Sequence, residues 1–113
     1  MIIHQMRLSA DPFEKVANGL KIIESRLFDE KRRKININDQ IEFTCIDHPS
    51  RKIITNVEAL YRYSNFENLF SDFPPEYFGS SSKEELLIEI GKIYSKEEQE
   101  KHEVIGIKLS LMK

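Results

Sequence analysis

Both ends of the chain read as β-strands, and that constrains the fold more than any other feature. At the start, Ile2, His4, Met6 and Leu8 alternate with Ile3, Gln5 and Arg7; at the end, Ile105, Ile107, Leu109 and Leu111 alternate with Gly106, Lys108 and Ser110. Period-two alternation puts one set of side chains on each face of a strand. Terminal strands separated by long intervals suit a barrel closed by pairing of distant segments. With 113 residues there is room for one core, so residues 1–113 are expected to form a single domain.

The interior of the sequence supplies the other elements. Asp11, Pro12 and Glu14 suit a helix start, with Asp11 as cap, and Phe13, Val16, Ala17 and Leu20 fall at helical spacing before Asn18-Gly19. A strand is expected over 20–28, a charged loop or helical turn over 29–34, and a strand through Ile41, Phe43 and Cys45 after the turn signal Asn38-Asp39. Asp47-His48-Pro49-Ser50 reverses the chain into a long strand over 52–63, whose Ile53, Thr55, Val57, Ala59, Tyr61 and Tyr63 are expected on one face. Its later half also fits a helix. Phe66, Leu69, Phe70 and Phe73 mark a short helix ended by Pro74-Pro75, and Ser82/Glu85 and Ser95/Glu98 open two more. The expectation is an α+β fold, a mixed β-barrel of about five or six strands with short helices around it.

Charge narrows the function. The net charge is −2, yet residues 1–63 carry 11 Lys/Arg against 9 Asp/Glu while residues 64–113 carry 6 against 10. A general polyanion binder is excluded by that global field, but a small basic mouth is not. No apolar run approaches the ~20 residues of a spanning helix. The opening residues lack the pattern of a signal peptide, and Cys45 has no cysteine to pair with. A cytoplasmic location without membrane association is therefore expected. His4, His48, His102 and Cys45 are too scattered for a metal site, and no cofactor is expected. Ser80-Ser81-Ser82 reads as a helix entry rather than a nucleophile.

Gly19, Lys21, Glu24 and Arg26 form a G-x-K-x-x-E-x-R pattern at a helix-to-strand junction. Apolar neighbours partly desolvate these charges, so they need one another or a ligand. Alternation puts Glu24 and Arg26 on one face with Ile22 and Lys21 on the other; only a twist or bulge brings Lys21 in. The pattern reads either as a charged cleft for a base edge or phosphate, or as a surface ion pair. Tyr61 and Tyr63 read either as a stacking platform for a base or as barrel lining. The run Lys31-Arg32-Arg33-Lys34 reads as a phosphate contact or a solvated loop.

This pattern, the following Leu27-Phe28-Asp29-Glu30-Lys31-Arg32-Arg33, the group Tyr61, Tyr63, Ser64 and Phe66, the run Tyr94–Glu98 and the run Val104–Ile107 together resemble the ASCH family over nearly the whole chain. The resemblance implies a PUA-like barrel and a central cleft, proposed in the family to bind RNA, with Lys21, Glu24 and Arg26 as its site residues here. RNA, or a nucleoside- or nucleotide-like small molecule, is the implied partner. Some small relatives are amidohydrolases that deacetylate acetylated cytidine with a lysine, a threonine nucleophile and a glutamate. Lys21 matches that lysine, but Glu24 stands where the threonine would be. Gly79, with Glu76 nearby, falls where the glutamate would be. If the chain is an enzyme, Lys21 and Glu24 are the catalytic candidates, for an acylated nucleoside or for RNA cleavage. A protein-interaction role for the acidic C-terminal helices has only the charge imbalance behind it.

Overall fold

A computed structural model describes residues 2–112. Five strands form one mixed sheet: β1 (Ile3–Leu8), β2 (Ile23–Leu27), β3 (Gln40–Cys45), β4 (Lys52–Tyr63) and β5 (Val104–Leu111), in the order β1-β3-β4-β5-β2. β1 runs parallel to β3 and the remaining pairs are antiparallel. The helices are α1 (Ala10–Ala17), α2 (Phe66–Ser71), α3 (Lys83–Ile93) and α4 (Lys96–His102), with short 3-10 turns at Arg32–Lys34 and Pro75–Phe78. The α+β class and a barrel-like sheet thus hold, with five strands.

The terminal strands do not pair with each other. β5 lies between β4 and β2, and the two sheet edges are β1 and β2. Those edges are drawn together by a side chain, since Arg26 Nη2 on β2 donates to the Arg7 carbonyl on β1 at 3.0 Å. The sheet therefore curls into a half-barrel whose open seam is bridged by a guanidinium and not by a strand ladder.

Two apolar clusters divide the faces. Inside the curl, Met6, Phe13, Val16, Ile41, Phe43, Val57, Ile105 and Ile107 pack with α1 as a lid. Outside it, Ile23, Leu27 and Val104 pack against Phe66, Leu69 and Phe70 of α2 and Phe78. Gly106 of β5 leaves room for α2: a Cβ there would meet Leu69 Cδ1 at 2.8 Å and Ile23 Cγ2 at 3.2 Å. Gly106→Val is expected to cost about 1–3 kcal/mol by overpacking, read as a lower urea midpoint at unchanged m-value. A midpoint equal to that of the wild type would remove this account of the α2–sheet contact.

Three local expectations change. The α1 cap is not Asp11: Ser9 is the N-cap residue without a side-chain bond, and Asp47, from the turn after β3, accepts from Ala10 N at 2.7 Å. Asp11 instead pairs with Lys15 one helical turn on. Ser82 does cap Glu85 N, but the Glu85 carboxylate turns to the Ser80 and Ser81 hydroxyls, leaving the reciprocal box to Ser95 and Glu98. Finally, β4 is a strand throughout, but its register slips by one between Val57 and Ala59. This bulge turns Leu60 to the inner cluster and Tyr61 and Tyr63 to the outer one, so they do not share the face of Val57.

Candidate functional site

The charged pattern lies where β2 begins. After Gly19 the chain runs irregularly to Ile23: Ile22 N donates to Tyr77 O, and Ile22 O accepts from Leu109 N. Ile22 therefore packs with the outer cluster, not with Glu24 as strict alternation predicts. This irregular entry lets Lys21 swing to the side of Glu24. Lys21 Nζ stands 2.6 Å from Glu24 Oε1, and Arg26 reaches Glu24 Oε2 through Nε at 2.8 Å and Nη2 at 2.7 Å. The three residues named from the sequence converge.

Glu24 is 3% exposed, on the inner face opposite Ile107. Burial alone would raise its carboxyl; the charges of Lys21 and then Arg26, reinforced by their hydrogen bonds, outweigh it and hold the group at about 2. Glu24 pulls Arg26 the other way: desolvation would lower that guanidinium, yet Glu24, helped by Tyr94, raises it above its ordinary range. Both cations are fixed in place by the carboxylate between them. Because each Glu24 oxygen is engaged, the carboxylate acts as the post that aims Lys21 and Arg26 rather than as a free acceptor.

Each cation borders a different hollow. Lys21 lines a mostly apolar concavity of about 290 Å³ with Val16, Gly19, Thr55 and Leu109. Arg26 lines a larger cleft, about 550 Å³, at the β1–β2 seam with Gln5, Arg7, Lys31, Arg32 and Thr44. Gly79, left-handed at φ +84°, covers the Lys21 stem: its carbonyl accepts from Lys15 Nζ at 2.9 Å, and a Cβ there would sit 3.2 Å from Lys21 Cβ. It holds Lys21 by contact and brings no carboxylate.

The tyrosines lie elsewhere. Tyr61 stacks at a tilt on Phe73, centroids 4.7 Å apart, and Tyr63 donates to Asp72 Oδ2 at 2.5 Å. That hydrogen bond, with burial and the Asp72 charge behind it, pushes the Tyr63 phenol up to about 12. Both are on the outer face, away from Glu24. The basic run splits: Lys31 and Arg32 face the seam, while Arg33 lies over the Phe28 ring at 4.4 Å. Arg7 was not legible as a site residue, because only the strand order puts it opposite Arg26.

Among the described residues, no group of three or more His, Cys, Asp or Glu could hold a metal ion, and no helix is long and apolar enough to cross a membrane. His4 is instead tied to Asp39 at 2.9 Å, and Cys45 is buried in the core.

Comparison with solved structures gives strong matches. The chain superposes on hypothetical protein PH0355 with a TM-score of 0.87 and 29% identity, covering 98% of this chain and 100% of that one. Protein PF0455 from Pyrococcus furiosus matches with 0.78 and 27% over 99% of each chain. An S128A mutant of ZmASCH from Zymomonas mobilis matches with 0.63 and 13%, over 96% of this chain and 67% of that one. No family model and no curated protein sequence matches the chain.

Proposed function

We propose that this chain, which has the ASCH, PUA-like fold, is a binding module for single-stranded RNA or a nucleoside-like ligand, held at the cations that Glu24 aims. The observation that carries this reading is the buried carboxylate clamped between Lys21 and Arg26, with each cation bordering an open hollow. Structural ion pairs on an edge strand rarely need a carboxylate this deeply buried, because desolvation opposes it. Fixing two donors before the ligand arrives lowers the entropic cost of binding. Arg26, whose Nε and Nη2 already serve Glu24 and the Arg7 carbonyl, offers its Nη1 to a phosphate or a base acceptor, and Lys21 suits a polar group entering the apolar hollow.

A hydrolytic role has less support. A carboxylate held at about 2 is a weak base near neutral pH, and its oxygens are engaged by Lys21 and Arg26. Gly79 against Lys21 supplies no acid to replace it. The same holds for RNA cleavage with Glu24 as base.

Arg26→Lys tests the binding reading, since it keeps a cation for Glu24 while removing the guanidinium. Fluorescence anisotropy with labelled five-nucleotide RNAs, and calorimetry with modified nucleosides, should show binding by the wild type and affinity roughly tenfold weaker in the variant. No binding by the wild type, or equal affinities, would overturn it. Chromatographic release of cytidine from acetylated cytidine would move the assignment to a hydrolase.

A further inference from the structure

We infer that the seam between β1 and β2 is a phosphate site, so the preferred ligand is a nucleotide or an RNA strand rather than an uncharged nucleoside; this rests on the binding reading above. The seam cleft is lined by Arg7, Arg26, Lys31 and Arg32, with Gln5 and Thr44 as further polar groups and no acidic side chain. Two of the cations are already matched, Arg26 by Glu24 and Arg32 by Asp29 at 2.8 Å. Arg7 and Lys31 have no ion pair among the described residues. The cleft therefore carries uncompensated positive charge in a chain whose net charge is −2.

Two independent features ask for acceptor oxygens there. First, Arg32 Nε is buried and has no hydrogen-bond partner, although Nη1 of the same guanidinium is held by Asp29. An orphaned charged donor shielded from solvent, on a side chain that is itself 16% exposed, is rare and calls for a partner. Second, β1 presents an open edge. Gln40 N donates to Ile2 O and Ile46 N to Leu8 O, so the even-numbered residues of this strand turn their main chain toward β3. Main-chain groups alternate along a strand, so Gln5 and Arg7 point theirs into the seam, where the Arg7 carbonyl already meets Arg26. Edge amides flanked by guanidinium and ammonium groups are what a phosphate's oxygens require.

The test compares cytidine 5′-monophosphate, cytidine and inorganic phosphate on the wild type and on an Arg7→Gln/Lys31→Gln double variant. Neither side chain is in an ion pair among the described residues, so the variant should melt like the wild type. The monophosphate should bind the wild type at least roughly tenfold more tightly than cytidine, and the advantage should vanish in the double variant. With five-nucleotide RNA, the slope of log affinity against log salt should fall by about 1.4, at ~0.7 for each phosphate that the two missing cations no longer neutralise. Inorganic phosphate alone should shift the Arg32 Nε–Hε resonance saturably. Equal affinities for monophosphate and cytidine, or an advantage that survives the double variant, would overturn the seam assignment while leaving nucleoside binding intact. If no nucleoside or RNA binds, the binding reading falls, and the phosphate titration alone decides the seam: an unmoved Arg32 resonance overturns it.

Discussion

Replacing Glu24 with leucine should destabilise the fold by about 3–5 kcal/mol, because it leaves Lys21 and Arg26 facing each other in a desolvated pocket with no anion between them. Their side chains are only 14% exposed, so neither can escape fully to water. Arg26 would also lose the anchor that aims it at the Arg7 carbonyl, loosening the one described side-chain bond across the barrel seam. The same pairing sets an acid dependence. The folded carboxyl sits at about 2 against an ordinary 4.5, so the unfolded chain takes up the proton first. Stability from this group is full above the ordinary value and drains away as pH falls from about 4.5 to about 2, worth about 3 kcal/mol in all. Urea titrations at pH 7 and pH 3 measure it. The wild type should lose midpoint steeply over that range, whereas Glu24→Gln should be less stable at pH 7 and should lose that component of the slope. Parallel pH profiles for the two proteins would show that Glu24 is not the charged post described here.

The second large effect lies on the other face of the sheet. Phe66→Ala should cost about 3–5 kcal/mol, the range for deleting a buried aromatic ring. Phe66 is fully buried and stacks between Phe70, at 5.7 Å, and Tyr94, at 5.9 Å. It therefore ties α2 to the residue that ends α3, a helix with no buried residue of its own. A domain of this size loses about 4–8 °C per kcal/mol, so the midpoint of thermal unfolding by circular dichroism should fall by at least about 12 °C. A shift of only a few degrees would mean that the outer cluster is not the second core proposed for it.

These residues also divide what was legible from what was not. The elements follow from local rules. Alternation at Ile41, Phe43 and Cys45 marked β3, Ser95 with Glu98 marked the start of α4, and Pro74-Pro75 marked the end of the α2 region. The members of the charged group were legible for the same reason, since charges on an Ile-Ile-Leu-Phe strand contradict local patterning. Their partners were not. A bulge at Glu58 costs nothing visible in the sequence, yet it moved Tyr61 and Tyr63 to the opposite face. Asp47 replaced Asp11 as the α1 cap because the turn after β3 delivers it there.

What the sequence determined by itself was the place of most strands and helices and the need of Lys21, Glu24 and Arg26 for opposite charge, because both depend on near neighbours. Tertiary structure alone decided that the curled sheet brings the edges β1 and β2 near each other, that Arg7 meets Arg26, and that Arg32 keeps a buried donor. Those contacts join positions 19 or more residues apart, or depend on which strand lies beside which. Strand order is settled by how the whole apolar surface is buried at once, and no local spacing encodes it.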